Sequence, residues 1–368
     1  MPRRGSPVRY AVVGLGHIAQ VAVLPAFAHA KSNSRLTALV SDDRTKLETL
    51  SRRYRIDTTG SYADYERCLE QVDAVYIALP NSMHREYAVR AAEAGVHVLC
   101  EKPLAVAVDD CQRMIDACRA HRVKLMVAYR LHLEPLTLEV IDVVRRGRIG
   151  DPKYFTSSFS LAVRPGNVRT RKDLGGGTLY DLGVYCINAA RSLFRAEPKE
   201  VAAISVNSGA KALKDIDEST GALLRFDGER VAAFVTSFNA ADVGCYRIVG
   251  TRGEVFVNPG YEYASGLGYE LTVNGKTTRH RVGKHDQFAA ELAYFSECVR
   301  NDRDPEPSGD DGMQDVRIVQ ALYESAETGK TVAIPPFEPA TRPRRQQRIV
   351  KPPVRKPKLV KVKSAGRR

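Results

Sequence analysis

The sequence predicts an α/β protein: an N-terminal Rossmann domain with a doubly wound parallel sheet, then a C-terminal α+β domain with a large, mostly antiparallel open sheet. In the first third, short apolar runs alternate with segments of helical periodicity, which is typical of parallel strands covered by helices on both faces. After residue 130, strand-like runs follow one another through short turns without long helices between them. A chain of 368 residues is long enough for both domains.

The first domain is predicted to occupy residues 1–128. Its helices are indicated by apolar residues at helical spacing in 88–94 and 109–120. Ligands of such sheets bind beyond the carboxyl ends of the strands, so residues that follow the strands are the first candidates for a site. The predicted strands are 10–13, 36–40, 74–79, 96–99 and 125–128.

The second domain is predicted at 129–338, with Asp227-Gly228 and Asn274-Gly275 as tight hairpin turns. One face of an open antiparallel sheet is left bare, so we expect a homodimer or homotetramer. The predicted strands are 153–163, 201–206, 220–226, 231–238, 246–249 and 271–273. The predicted helices are 135–145, one from Asp181, and two late helices at 288–299 and 312–327 that close this domain.

Residues 339–368 are predicted to be a disordered basic tail. From Thr341 onward the chain has 12 Lys and Arg and no Asp or Glu, whereas the other 44 Lys and Arg nearly balance 43 Asp and Glu. The tail therefore carries all but one unit of the net charge of +13. No specific nucleic-acid binding is predicted for the folded part, and the tail is expected to bind polyanions through charge alone.

Cysteine usage and hydropathy exclude several other classes of protein. The seven cysteines form no C-x-x-C pair or Cys/His cluster, so neither a disulfide framework nor a metal site is predicted. Cys100 is expected to be a buried strand residue and not a nucleophile. No run of about 18 apolar residues predicts a membrane span. Because no apolar signal core follows Arg3-Arg4, we expect a cytoplasmic location.

The first chemical motif is G-x-G-x-x-A at residues 14–19, directly after the first strand. Gly14 and Gly16 permit a tight turn and a close approach to a pyrophosphate. The helix that follows, from His17 and Ile18, presents its N-terminal amides to the same group. The position of the motif between the first strand and helix favours dinucleotide binding over a purely structural turn.

The residues after the second strand bear on the adenosine end of the cofactor. Ser41, Arg44 and Lys46 suit a 2′-phosphate, whereas Asp42 and Asp43 suit a ribose diol. The cationic cluster favours NADP, and NAD stays open. The plain alternative is a solvated helix start capped by Asp43.

Three further motifs carry possible chemistry. His84 follows the strand at 74–79, and Lys102 follows the strand at 96–99, where an ammonium can polarise a carbonyl or stabilise an alkoxide. Glycines at 175–177 allow the backbone to pass close to a ligand. Asp181 and Tyr185, four apart on one helix face, can form a proton relay. Each motif also has a plain structural alternative. The segment at 79–84 can be a simple strand exit and Lys102 a solvated lysine. Asp181 can be a charge favoured by the helix dipole, and Tyr185 can pack in the core.

Together these motifs resemble the glucose–fructose oxidoreductase/inositol dehydrogenase (Gfo/Idh/MocA) family, and most of all its glucose–fructose oxidoreductase branch. The resemblance runs from about residue 8 to 332. It implies an NAD(P)-dependent enzyme that transfers hydride between the cofactor and a CH–OH group of a sugar or polyol. It is carried by segments 14–19, 79–84, 101–104, 110–116, 129–132, 176–185 and 312–317.

The resemblance also implies roles for individual residues. Lys102 matches the catalytic lysine, Asp181 the carboxylate, and Tyr185 the proton donor and acceptor. Asp42 stands where this branch has a smaller residue, which keeps NAD open. The implied cofactor-lining residues are Gly14, Gly16, His17, Ile18, Ser41, Lys46, Tyr62, Leu79, His84, Glu101, Lys102, Arg130, Arg169 and Tyr263.

Two expectations concern turnover. Few residues precede the first strand, whereas the best-known member of the family has a long N-terminal arm that helps to trap its cofactor. We therefore expect an exchangeable cofactor and ordinary dehydrogenase or reductase turnover. The alternative function is a non-catalytic, dinucleotide-sensing regulator of the same fold, against which the presence of Lys102, Asp181 and Tyr185 argues.

Overall fold

The structure, a computed structural model, describes residues 6–366 and divides the chain into two compact units. Unit 1 comprises the residues up to Arg130 together with His285–Met313 and Ile349–Ser364. Unit 2 comprises Leu131–Lys284, Gln314–Arg348 and the chain from Ala365. Each unit is built around its own sheet.

Unit 1 contains a six-stranded parallel sheet, which confirms the predicted Rossmann fold. Its strands are β1 (Val8–Val13), β2 (Ser34–Val40), β3 (Thr58–Gly60), β4 (Ala74–Ile77), β5 (His97–Cys100) and β6 (Leu125–Val127), in the order β3-β2-β1-β4-β5-β6. The central strands β4 and β5 are buried along their whole length, because apolar residues face the helices on both sides. β3 was not predicted, since its three residues contain no apolar run.

Helices cover this sheet, and each connects two parallel strands. A π-helical turn (Ala19–Val23) leads into α1 (Leu24–Ala30). The others are α2 (Arg44–Tyr54), α3 (Tyr65–Leu69), α4 (His84–Glu93) and α5 (Val108–Ala120). A 3₁₀ turn (Asn81–Met83) precedes α4, and another (Arg130–Leu133) follows β6.

Unit 2 contains a nine-stranded sheet that is antiparallel except for the pair β7–β10, as the sequence predicted for most of it. Its order is β14-β13-β12-β11-β7-β10-β9-β8-β15. The strands are β7 (Pro152–Ser160), β8 (Glu200–Val206), β9 (Ser219–Phe226), β10 (Arg230–Ser237), β11 (Val243–Gly250), β12 (Gly253–Val257), β13 (Leu267–Val273), β14 (Lys276–Val282) and β15 (Val332–Ala333).

One face of this sheet packs against α6 (Pro135–Arg145) and α7 (Val184–Phe194), and a π-helical turn (Leu179–Gly183) leads into α7. The hairpin β13–β14 closes at Asn274 and Gly275, both with positive φ, which confirms the predicted turn. The strand β14 was missed because its charged, exposed residues lack an apolar alternation. Short 3₁₀ turns occur at Val168–Thr170, Lys172–Leu174 and Arg345–Gln347.

The chain returns to unit 1 through α8 (Gln287–Arg300), which the sequence had placed in the second domain. Asn33 Nδ2 donates to the Ala293 carbonyl over 2.8 Å, and the Tyr10 and Ser296 hydroxyls are 2.7 Å apart. α9 (Gly309–Thr328) begins in unit 1 and continues in unit 2. Periodicity predicted both helices, but it shows only that a helix has an apolar face, not which core buries that face.

The basic tail also differs from the prediction of disorder. In unit 2, the Arg342 guanidinium lies 3.0 Å from Glu197, and Arg345 lies 3.6 Å from Asp142. In unit 1, the backbone of residues 349–364 hydrogen-bonds to the side chains of Gln20 and Arg53. These tail arginines form ion pairs with carboxylates of the folded part, so repulsion among the tail cations does not prevent the contacts. Among the described residues, no helix combines the length and the apolar character that crossing a membrane requires.

Candidate functional site

The first glycine turn of unit 1 has the geometry of a dinucleotide phosphate site. Gly14 has φ +93°, and a Cβ there would lie 2.7 Å from the Ala78 carbonyl oxygen, so only glycine fits between β1 and the end of β4. A Cβ at Gly16 would meet no described atom within 4 Å. The turn is therefore tight on its protein side and open on the other. His17 and Ile18 begin the helical segment that follows it, so a pyrophosphate fits at this helix N-terminus.

At the end of β2, polar groups surround the carboxylate of Asp43. Its Oδ1 accepts from Lys46 N over 3.1 Å and caps α2, as the plain alternative predicted. The Lys46 ammonium lies 3.9 Å from its Oδ2. The buried Ser41 hydroxyl accepts from Asp43 N over 3.2 Å. Ser41 and Lys46, both predicted to bind the cofactor, are thus brought together at one residue: Ser41 contacts the backbone of Asp43 and Lys46 contacts its carboxylate.

Tyr62 lies at the same end of the sheet. Its backbone N donates to Asp42 Oδ1 over 2.8 Å, so one oxygen of this carboxylate already has a partner. Its ring packs edge-to-face on Tyr87 at 5.4 Å. Burial, together with the charge of Asp42, raises the pKa of Tyr62 to about 12, so its hydroxyl stays protonated at neutral pH.

His84 connects the ends of β4 and β5. Its Nε2 lies 3.0 Å from the Leu79 carbonyl oxygen and its Nδ1 lies 3.0 Å from that of Pro103. The ring is fully buried, and burial lowers its pKa, although the carbonyls around it oppose that change. This imidazole thus holds together the two loops that carry Leu79 and Lys102. Its contacts hold these two loops in a fixed relation to one another.

Lys102 follows a part-buried carboxyl group at the end of β5. The Tyr76 hydroxyl donates to Glu101 Oε1 over 2.9 Å. Burial raises the pKa of Glu101, and the adjacent Lys102 ammonium is the largest effect that opposes it. Arg130 is buried and donates through Nη1 to Gln287 Oε1 over 2.5 Å. The predicted residues Glu101, Lys102 and Arg130 therefore belong to one charged cluster of unit 1.

Glu291, one turn beyond Gln287 on α8, was missed from the sequence. It is fully buried, and neither of its carboxyl oxygens has a hydrogen-bond partner within residues 6–366. Burial is the main cause that raises the pKa of Glu291 well above its usual value, and the charge of Glu101 adds to it. The charge of Arg130 lowers this pKa but does not outweigh them. The protonated form is therefore favoured. A glutamate in a helical pattern reads as a solvated residue, so sequence alone gave no signal for it.

In unit 2, Arg169 interacts with the other predicted site residues of that unit. Its Nε donates to Asp181 Oδ2 over 2.6 Å, and its guanidinium also interacts electrostatically with Tyr263 and Tyr185. Burial is the largest single effect and lowers the pKa of Arg169, but the charge and hydrogen bond of Asp181, together with Tyr263 and Tyr185, outweigh it and the pKa is raised. Asn167 Oδ1 accepts from Arg169 N over 3.1 Å and fixes the local turn.

Tyr185 packs in an aromatic cluster. Its ring lies edge-to-face on Phe159 at 5.5 Å and 5.8 Å from the ring of Tyr261. The residue stays partly exposed, whereas Tyr261 is buried and hydrogen-bonded to Ser157. The cluster fixes the ring of Tyr185 and leaves part of the side chain accessible, as a proton donor and acceptor requires.

Gly176 and Gly177 allow close packing within the protein, whereas the sequence interpretation was a close approach to a ligand. A Cβ on Gly176 would lie 2.4 Å from the Arg169 carbonyl oxygen. A Cβ on Gly177, at φ +130°, would lie 2.4 Å from the Tyr323 hydroxyl and 2.8 Å from Asp217 Oδ1. Asp217, which the sequence analysis missed, accepts from Thr178 N over 3.0 Å and from the Tyr323 hydroxyl over 2.8 Å. It anchors the segment that leads to Asp181.

Comparison with known proteins identifies the family to which both domains belong. Residues 8–129 match the oxidoreductase family with an NAD-binding Rossmann fold, and residues 141–334 match the C-terminal alpha/beta domain of the same family. The chain belongs to the Gfo/Idh/MocA oxidoreductase family. This confirms the resemblance found in the sequence, and with it an enzyme that uses a nicotinamide dinucleotide.

Several relatives match over nearly their whole length. The NADP-dependent D-xylose 1-dehydrogenase of Haloarcula marismortui is 31% identical over 339 residues, which cover 89% of this chain and 94% of that protein. The aldose–aldose oxidoreductase of Caulobacter crescentus has a TM-score of 0.85 at 34% identity and covers 89% of this chain and 100% of its own. KijD10, a 3-ketoreductase of Actinomadura kijaniata solved with NADP, has a TM-score of 0.80 at 27% identity, covering 87% and 98%. These named relatives are dehydrogenases, oxidoreductases and reductases, so the regulatory alternative is not favoured.

Proposed function

We propose that this family member transfers hydride between NADP and a sugar, and that an aldose oxidised at its anomeric carbon is the preferred substrate. The observation that carries the proposal is the full-length similarity to a D-xylose 1-dehydrogenase and an aldose–aldose oxidoreductase. Lys102, Asp181 and Tyr185 are all present: Lys102 lies in the bend after β5, and Asp181 and Tyr185 lie in the helical segment that includes α7.

In the proposed mechanism each unit supplies part of the chemistry. A bound nicotinamide dinucleotide would supply the hydride acceptor for oxidation and the hydride donor for reduction. Tyr185 takes the hydroxyl proton during oxidation and gives it back during reduction. The Lys102 ammonium stabilises negative charge that develops on the sugar oxygen. Asp181, held by Arg169, orients the sugar and the proton relay.

Cofactor placement follows from the residues of unit 1. The turn at Gly14 and Gly16 binds the pyrophosphate, with the backbone of His17 and Ile18. Ser41 and Lys46 bind the 2′-phosphate, which favours NADP; Asp42 already accepts a hydrogen bond from Tyr62. Leu79, Glu101 and Arg130 complete the proposed contacts of unit 1, with His84 as a positioning residue, and Arg169 and Tyr263 are the contacts proposed for unit 2.

A spectrophotometric screen tests the proposal. Purified protein is mixed with NADP or NAD and with aldoses, polyols and dihydrodiols, and reduced-cofactor absorbance is followed. We expect turnover with an aldose such as D-xylose, and a higher kcat/KM for NADP than for NAD. Absence of turnover with every sugar and polyol, with folded and cofactor-binding protein, contradicts it.

We further propose a homodimer or homotetramer formed through the outer face of the nine-stranded sheet. Exposed apolar side chains stand on neighbouring strands of this face, including Ile204 on β8, Leu223 on β9 and Val235 on β10. Such an apolar patch marks an interaction site on an otherwise polar surface. Val235→Asp combined with Leu223→Asp is expected to give monomers in analytical ultracentrifugation. An unchanged sedimentation coefficient contradicts this interface.

The remaining proposals concern location and the tail. All seven cysteines are free thiols and six are buried, Cys100 among them, which fits a reducing cytoplasmic compartment. Binding of polyanions by the exposed tail cations is proposed as an accessory, salt-dependent property. A heparin column run at increasing salt tests it.

A further inference from the structure

Residues 349–364, here called the strap, lie along unit 1 and are fastened at several points. The Lys351 carbonyl oxygen accepts from Asp286 N over 3.0 Å. The Lys358 carbonyl oxygen accepts from Arg53 Nη1 over 2.7 Å. Backbone groups make these contacts, so they fix the path of the strap and leave its lysine side chains available.

A third fastening links the strap to the first glycine turn. The side chain of Gln20, a buried residue, accepts from Val360 N over 2.8 Å and donates to the Val360 carbonyl oxygen over 3.0 Å. The same Nε2 also donates to the carbonyl oxygen of Leu15, the residue between Gly14 and Gly16, over 3.0 Å. One amide therefore ties Val360 to the turn that is proposed to bind the pyrophosphate.

The next residue, Lys361, lies at the adenosine end of the same site. Its Nζ is 3.6 Å from Asp43 Oδ1, while Lys46 Nζ is 3.9 Å from Asp43 Oδ2. Ser41 is hydrogen-bonded to the backbone of Asp43. Asp43 and Lys46 alone are neutral as a pair, and Asp42 adds a negative charge. Lys361 restores balance, so a phosphate dianion can approach against less repulsion.

We propose that the strap is part of the cofactor site, with Lys361 joining Ser41 and Lys46 in binding the 2′-phosphate of NADP, and with the Val360–Gln20 contacts slowing release of the cofactor. The proposal rests on the proposed function, since it assumes that the turn at Gly14 binds a dinucleotide. It assigns the tail a defined role in cofactor choice and retention. A retained cofactor also departs from the readily exchangeable one that the sequence led us to expect.

Equilibrium binding of NADPH and NADH, followed by cofactor fluorescence without any sugar, tests the role of Lys361. Lys361→Ala is expected to weaken NADPH binding about 3- to 10-fold, as loss of one partly exposed charge contact predicts, and to leave NADH binding unchanged. Lys356→Ala is the matched control, because it removes the same charge from an exposed position of the same strap. The control is expected to change neither affinity.

Three results overturn the role of Lys361: no loss of NADPH affinity, equal loss in the two variants, or equal loss for both cofactors. Binding of neither cofactor by the unmodified protein instead contradicts the proposed function itself. The two failures are therefore distinguishable in one assay.

Cofactor release is tested separately by stopped-flow displacement of NADPH. Val360→Pro removes the N–H that donates to Gln20 and leaves the Gln20–Leu15 contact in place. The NADPH dissociation rate is expected to rise roughly 3- to 10-fold, as loss of one part-buried hydrogen bond predicts. A wild-type dissociation rate in this variant overturns the retention role, while Lys361→Ala still tests the phosphate contact if the proline variant does not fold.

Discussion

The two glycine-rich turns of this molecule look alike in sequence but serve different purposes. At Gly16 in unit 1, an added Cβ meets nothing within 4 Å, whereas at Gly177 in unit 2 it meets Tyr323 and Asp217 below 3 Å. The first turn is open where a ligand approaches. The second is filled by the protein, and it builds the start of the helical segment that carries Asp181 and Tyr185. A glycine run therefore indicates a close approach, but only the structure shows whether a ligand or the protein is the neighbour.

The largest expected effect separates chemistry from cofactor binding. Tyr185→Phe, on the helix after the second turn, is expected to lower sugar turnover by about 10²–10⁴-fold, because a positioned general acid/base is lost. NADPH affinity is expected to stay unchanged, since unit 1 binds most of the cofactor. Steady-state kinetics and fluorescence titration measure the two effects. Full activity of this variant contradicts the assigned role.

Gly177→Ala tests the filled turn. We expect it to destabilise the protein by about 2–4 kcal/mol, from backbone strain at positive φ together with the collision with Tyr323. Gly209→Ala is the control, because Gly209 also has positive φ but open space around its Cβ. Urea unfolding compares them. Equal losses in the two variants show that strain alone explains the second turn.

Gly16→Val tests the open turn. In contrast to Gly177→Ala, it is expected to weaken cofactor binding and to leave stability nearly unchanged. Stability is expected to change little, since Gly16 does not have a positive φ and its surroundings are open. NADPH and NADH binding are each expected to weaken roughly 10- to 100-fold, because the valine occupies space that the pyrophosphate needs. Isothermal titration measures both affinities. Unchanged affinities contradict the placement of the cofactor at this turn.

The smallest effect concerns the strands that lead to the first turn. Arg9 on β1 and Asp73 before β4 are joined by a side-chain contact of 2.8 Å. Burial raises the pKa of Asp73, but hydrogen bonds from Arg9 outweigh it and the pKa is lowered. The stabilisation is therefore present above the unfolded pKa of about 4 and is lost as the pH falls through the lowered folded value.

Asp73→Asn is thus expected to reduce stability at pH 7 by at most about 1 kcal/mol, because Arg9 is partly exposed. The difference from wild type is expected to shrink steadily below pH 4. Urea midpoints measured across this range check both statements. A difference that grows on acidification contradicts the assignment.

Prediction from sequence succeeded where the pattern is local. The run at 74–79 predicted β4, and Asn274-Gly275 predicted a hairpin, because each signal lies within a few residues. The assignment of α8 to unit 1 depends on contacts with Asn33 and Ser34, more than 250 residues away in the chain, which no local pattern reports.

The candidate site shows the same limit. Gly14, Ser41 and Lys102 follow strands, and they were predicted as site residues for that reason. Asp217 and Glu291 were missed, because an acidic residue in a loop or a helix gives no sign that it is an anchor or that it is buried. Lys361 was read as one charge of a tail, although the backbone of Val360 places it beside Asp43.

The central claim is that hydride passes between the anomeric carbon of an aldose and the nicotinamide. The most direct test is a single turnover with NADP and an aldose deuterated at that carbon, followed by mass spectrometry of the reduced cofactor. We predict that the deuterium is found on the nicotinamide and that the label slows the absorbance change. Reduced cofactor that carries no deuterium contradicts it, whether or not the deuterated and ordinary aldoses react at the same rate.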